Sequence, residues 1–159
     1  MRHSPPRLVF VYGTLRRGEE RDINLLAPAP TALGAASVAG RLYDLGSYPG
    51  LRLGGPGWVE GEVYAVSPEL ERRLDEIEAV WPAPSGEYLK REVWVSLKVS
   101  DGASSVNGSA SQNDPDVAGA PPLLCLLYEA SPDAVHGCFE IAGGNWVAYR
   151  RNQLQGPSA

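Results

Sequence analysis

Apolar residues run unbroken from Leu8 to Tyr12, within RLVFVYGTL, and stop at Gly13. A continuous β-type run of this kind predicts a strand covered on both faces. Asp22–Leu26 reads as a short helix, ended by Pro28 and Pro30. Two further strands are predicted at 39–45 (AGRLYDL) and 58–66 (WVEGEVYAV), with SYPGLRLGGPG between them as turn chemistry throughout. Gly61, inside the second of these, marks either a bulge or a close approach of another backbone.

The clearest helix is SPELERRLDEIEAV, residues 67–80. Ser67 suits the N-cap and Pro68 the first helical position. Glu69 and Glu71 fall in the first turn, where the helix dipole favours negative charge. Leu70, Leu74 and Ile77 recur on one face, and Pro82 and Pro84 block continuation. Residues 92–99 alternate, with Val93, Val95, Leu97 and Val99 on one side of a strand, and 123–128 (LLCLLY) read as a buried strand. Between these two lie residues 100–122, rich in Ser, Gly, Asn and Pro. They carry too little apolar area to offset the entropy of ordering, and are expected to form a flexible insertion within a single domain spanning 1–159. Many short strands with one good helix predict an α+β fold with a compact, partly closed sheet.

Composition narrows the function without naming it. The chain has 159 residues, is 43% hydrophobic and 21% charged, and carries a formal net charge of −5. That size supports one real core, and the acidic balance argues against nucleic acid as a partner. No apolar run approaches the ~20 residues of a membrane span, and MRHSPPRLVFVYG does not read as a signal peptide. Cys125 and Cys138 form no C-x-x-C and are expected as free thiols in the cytoplasm. With His3 and His136 they make no recognisable metal spacing, so neither a metal nor a cofactor is expected. Nothing in the pattern sets an oligomeric state.

Gly13-x-x-x-x-Gly18 matches half of a phosphate loop, but Glu19-Glu20 stand where Lys-Ser/Thr would be required. The turn at Gly13 therefore reads two ways: a tight turn permitted by glycine, or a nest of converging N–H groups for an anion or oxyanion. His136 and Cys138 invite a nucleophile pair but have no identifiable acidic orienter, and cysteine is usually a small core residue. In the helix, Glu78 sits at the edge of the apolar stripe, one turn after Leu74 and near the C-terminal end. Partial burial and the dipole would both raise its pKa, as suits a general acid/base. Helix geometry alone favours reading it as one more surface acid, with Asp75 and Glu76 pointing further toward solvent.

Taken in order, VYGTLRRGE, LYDLGSYPGLR, GEVYAV, LDEIE…EYLKREVWV and IAGGNW resemble the gamma-glutamylcyclotransferase-like family, over about residues 8–99 and 123–146. The resemblance implies a small mixed β-barrel with flanking helices and a cavity at its mouth. It implies that the turn Tyr12-Gly13-Thr14-Leu15 binds the glutamyl part of a substrate through backbone amides. Glu78, closing the D-x-x-E stretch, would be the catalytic carboxyl, and Tyr88 would line the site. The implied reaction turns a γ-glutamyl amide into 5-oxoproline and a free amine or amino acid. Two other readings share these residues: removal of a γ-glutamyl group from a biosynthetic intermediate, and a non-catalytic module that keeps the cavity. The sequence departs from the family pattern at EAVWPAPSGEY, where glycine usually follows the glutamate, and in the insertion.

Overall fold

In the computed structural model, which describes residues 7–46, 48–78, 86–98 and 122–154, the first apolar run forms β1 (Arg7–Val11). Its alternation explains its composition. Phe10 points with Tyr12 into one core, while Val9 and Val11 point into a second core on the other face. A strand apolar on both sides needs partners on both edges as well, and β1 has them. It pairs antiparallel with β3 (Pro49–Val66) and parallel with β5 (Leu123–Ala130).

From β5 the sheet continues antiparallel to β4 (Tyr88–Leu97), and from there to β2 (Thr31–Asp44) through Ala36–Leu97 and Ser37–Ser96. Because β2 also pairs along its length with β3, the order β3-β1-β5-β4-β2 closes on itself. Among the described residues this is a closed, mixed, five-stranded barrel, to which the two-residue β6 (Phe139–Glu140) adds beside the end of β2. Three helices among the described residues flank it: α1 (Pro68–Ile77), α2 (Pro132–Val135) and α3 (Trp146–Leu154), with a 3-10 helix at Ile23–Leu25. The predicted α+β class, a small mixed β-barrel with flanking helices, is the observed architecture.

Helix α1 forms as its sequence dictates. Ser67 Oγ accepts from the N–H of Leu70 at 3.1 Å, and Leu70 and Leu74 are fully buried in the second core against β1 and β5. Burying two leucines contributes roughly 3–6 kcal/mol, well above the helix's intrinsic propensity. The helix ends at Ile77 with Glu78 as its cap, shorter than the pattern suggested.

Two expectations need correction. β2 starts at Thr31 rather than at Ala39. The supposed turn at 47–57 belongs mostly to β3, with Gly50 to Leu53 paired to Tyr43 to Gly40. The glycines there serve a bulge: the register shifts between Ala39 and Gly40, opposite Gly54 and Gly55, whose φ angles are 95° and 88°. Gly61 is the reverse case. A Cβ there would lie 2.1 Å from the Val11 carbonyl oxygen, so it marks a close backbone approach and not a bulge. Helices α2 and α3 were not foreseen. Apart from Pro122, the insertion expected at 100–122 lies outside the described residues.

Candidate active site

The turn after β1 is built from its carbonyl groups. Gly13 O accepts from Arg16 N at 3.0 Å, Thr14 O from Arg21 N at 2.9 Å and Leu15 O from Ile23 N at 2.9 Å. Among the described residues none accepts a hydrogen bond from the N–H of Gly13, Thr14 or Leu15. Side chains brace the turn from outside. Glu62 on β3 accepts from Arg16 Nε at 2.8 Å and from Arg17 N at 3.1 Å, and Arg16 Nη1 reaches Asn145 Oδ1 at 3.1 Å. Asn145 also accepts from Ala148 N, so the IAGGNW stretch starts α3 and ties it to the turn. Asp22 accepts from Gly18 N and Asn24 N. The open amides therefore sit on a rigid frame.

Gly13 is required here for a reason other than the one its sequence suggests. Its φ lies outside the left-handed region, but a Cβ would come within 2.5 Å of Pro49 Cγ. Two tyrosines hold that Pro49 segment in place. Tyr88 Oη donates to Pro49 O at 2.7 Å; Tyr12 Oη accepts from Leu51 N at 3.3 Å and donates to Tyr128 O at 2.6 Å. Burial raises the pKa of Tyr12, Tyr88 and Tyr128 well above the ordinary tyrosine value, so these hydroxyls are fixed, neutral clamps.

These pieces enclose a cavity of about 190 Å³. Tyr12, Gly13, Thr14, Leu15, Glu78 and Tyr88, singled out in the sequence, all line it. Glu78 lies at the end of α1, half-buried, its N–H donating to Leu74 O at 2.9 Å. No described residue donates a hydrogen bond to its carboxylate. Burial, the largest cause, pushes its pKa up to about 7; Glu87 adds to the rise and Arg21 opposes it. A carboxyl so poised gives and takes a proton near neutral pH.

Its helical neighbours differ. Glu76 is exposed, as expected. Asp75 is not turned to solvent: it accepts from Tyr128 Oη at 2.7 Å and from Lys90 Nζ at 3.0 Å, beside Glu71, which holds the same lysine at 2.6 Å. The cysteine–histidine pair forms no site in this cavity. His136 lines a second, more open concavity with Arg41 and Arg52, and Cys138 Sγ donates to Ala134 O. Cys125 is buried in the barrel core, where desolvation raises its thiol to about 11.

Sequence reading missed Arg21, Tyr48, Pro49, Glu87 and Tyr128, which also line the cavity. Glu87, directly before Tyr88, could have been found by proximity. Arg21 is lost among the charges of RRGEERD; Pro49 and Tyr128 arrive from strands distant in sequence, and Tyr48 from the bend before β3.

A closed mixed barrel whose cavity is lined by the Gly13–Leu15 turn and by a carboxyl unpaired among the described residues defines the class: a small-molecule site at the barrel. The chain belongs to the gamma-glutamyl cyclotransferase, AIG2-like family, whose model matches residues 9–148. It is 46% identical over 71 residues to gamma-L-glutamyl-butirosin B gamma-glutamyl cyclotransferase of Niallia circulans, covering 44% of each chain. It spans about half the length of the curated relatives it matches, 44%, 63% and 49% in three cases. Its fold is shared with an AIG2-like protein of Mus musculus (TM-score 0.62, 21% identity, 86% of each chain). It is also shared with a Pyrococcus horikoshii protein (TM-score 0.58, 24% identity, 94% of this chain and 98% of that one).

Proposed function

We propose that this protein closes the ring of a γ-glutamyl amide, releasing 5-oxoproline and the free amine, with Glu78 carrying the proton. The substrate's α-amine attacks its own γ-carbonyl carbon; the new C–N bond closes a five-membered ring and the old amide C–N bond breaks. Two protons leave the α-nitrogen: Glu78 takes one as the amine attacks and gives it to the departing nitrogen, then takes the second from the ring nitrogen as the lactam forms and passes it on, so that the amine leaves as its ammonium. Atoms balance without water or an enzyme nucleophile. One carboxyl can serve both transfers because its pKa lies near 7.

The N–H groups of Gly13, Thr14 and Leu15 receive a substrate carboxylate or the tetrahedral oxyanion. Tyr12 and Tyr88 contribute ring walls, since their hydroxyls are already bonded within the protein. Curling the glutamyl chain against these walls supplies much of the rate, as intramolecular positioning is worth ~7–11 kcal/mol.

The observation carrying this reading is the half-buried Glu78 carboxyl, unpaired among described residues, in the same cavity as three open amides. A binding module would have no need of a carboxyl with a raised pKa. The test is 5-oxoproline release from a panel of γ-glutamyl amino acids, γ-glutamyl amines and glutathione. Release from none of them, with binding retained, would replace this reading by the binding module. Removal of a γ-glutamyl group from a biosynthetic intermediate is a second reading, favoured by the name of the Niallia circulans relative. It uses the same residues and differs only in which substrates turn over.

A further inference from the structure

We propose that Arg21 is a specificity-determining residue, which reads a carboxylate borne on the amine side of the substrate, close to the amide nitrogen. The inference rests on the ring-closing reading of this cavity.

Three observations lead to it. First, Arg21 is the cation among the described residues lining the cavity; its charge acts on Glu78, but it forms no ion pair with a described carboxylate. Its neighbours are committed elsewhere: Arg16 to Glu62 and Asn145, and Asp22 to Gly18 N and Asn24 N. Second, its main chain is pinned to the substrate turn, because Arg21 N donates to Thr14 O at 2.9 Å. Third, Arg21 is exposed whereas Glu78 is half-buried. The α-amine and the breaking amide nitrogen must both come within hydrogen-bond reach of Glu78. The reacting part therefore lies deep, and the departing group extends toward the exposed rim where Arg21 stands.

Charge complementarity points the same way. A glutamyl unit brings one carboxylate and one ammonium; with the open amides in the first of their two proposed roles, as carboxylate binders, they and Glu78 answer both. Arg21 then remains as a second anion reader with nothing on the glutamyl unit to read. Glu87, the other acid lining the cavity, already accepts from Tyr48 Oη at 2.7 Å. A departing amine with its own carboxylate satisfies Arg21; a neutral alkylamine leaves it unanswered, and a cationic one is repelled. The planar guanidinium can meet a carboxylate with two parallel hydrogen bonds.

The test compares kcat/KM for γ-glutamylalanine and γ-glutamylethylamine, which differ only by that carboxylate, in the parent protein, Arg21→Gln and Arg21→Lys. The parent should prefer γ-glutamylalanine by about 10–100-fold, the range of one charge-assisted contact. Arg21→Gln should abolish most of that preference, chiefly through a higher KM for γ-glutamylalanine, and Arg21→Lys should restore part of it. Equal parent rates on the two substrates would overturn the inference while leaving the ring-closing reading intact. Equal losses on both in Arg21→Gln would overturn it too, assigning Arg21 to the glutamyl carboxylate. Release from neither substrate, nor from any other γ-glutamyl compound, would instead defeat the underlying reading.

Discussion

Glu78 and Glu129 are both acids drawn in from water, and their surroundings are opposite. Glu129, 5% exposed on β5, accepts from Leu53 N at 3.0 Å and from Arg91 Nε at 2.9 Å, with Arg52 at 3.2 Å. Glu78, at the end of α1, receives no hydrogen bond from any described residue and faces a cavity. A buried carboxylate with donors around both oxygens is satisfied as part of the frame. One whose donors are withheld keeps its proton longer and can exchange it. Burial alone therefore does not distinguish the two acids; what differs is whether the fold completes their partners.

The sharpest way to break this comparison is to neutralise each acid. Glu78→Gln should lower ring closure by ~10²–10⁴-fold, the usual loss for a general acid/base, with binding retained. Parent-level 5-oxoproline release in that variant would defeat the proton-carrier role. Glu76→Gln, on the exposed side of the same helix, should leave the rate within about threefold. Glu129→Ala should do the converse. It strands the Leu53 N–H and two partly exposed arginines, so denaturant melts should show a loss of about 1–3 kcal/mol, with activity kept in the folded fraction.

Gly13→Val tests whether the amides, and not Glu78 alone, make the site. Its side chain must displace Pro49, whose position Tyr88 fixes. Ligand affinity should fall at least tenfold, while stability falls by about 1–3 kcal/mol, as for an overpacked contact. A folded variant with normal affinity would remove the amides from the mechanism.

Stability against pH separates the acids more finely. The carboxyl of Glu78 is raised from 4.5 to about 7 in the folded state, so between those values the folded protein binds more protons than the unfolded chain. Its contribution is therefore complete below about pH 4.5 and is lost as pH rises to 7. Relative to the parent, Glu78→Gln should be more stable at pH 8, by up to about 3 kcal/mol, and equal at pH 4. An equal gap at both pH values would show that Glu78 is not desolvated. The smallest effect concerns its neighbour: Glu87→Gln removes a charge that raises Glu78, so the acid limb of the pH–rate profile should move to lower pH by a fraction of a unit.

Legibility followed the range of the interactions. Helix α1 could be read residue by residue because its cap, first-turn acids and apolar stripe are local, and its Ser67–Leu70 bond spans three positions. The strand at β1 was legible because both of its faces are apolar. By contrast, 47–57 looked like a turn because glycine and proline dominate it. The ladder to β2, which converts it into strand with a bulge, comes from the partner strand. Asp75 looked like a surface acid because Lys90 and Tyr128, which hold it, belong to β4 and β5.

The same division runs through the candidate site. By itself the sequence determined which residues end β1 and α1: a glycine that stops an apolar run, and a glutamate at the edge of an apolar stripe. Those are consequences of local sterics and helical period. Only the tertiary structure decided that the two ends meet, since closure of the barrel joins β1 to β3 and β5 and packs α1 against them. It also decided that Pro49 closes over Gly13, that Arg21 and Glu87 enter the same cavity, and that Glu78 loses water without gaining a partner among the described residues. Desolvation and charge coupling act through space, and their strength is set by neighbours that lie far apart along the chain.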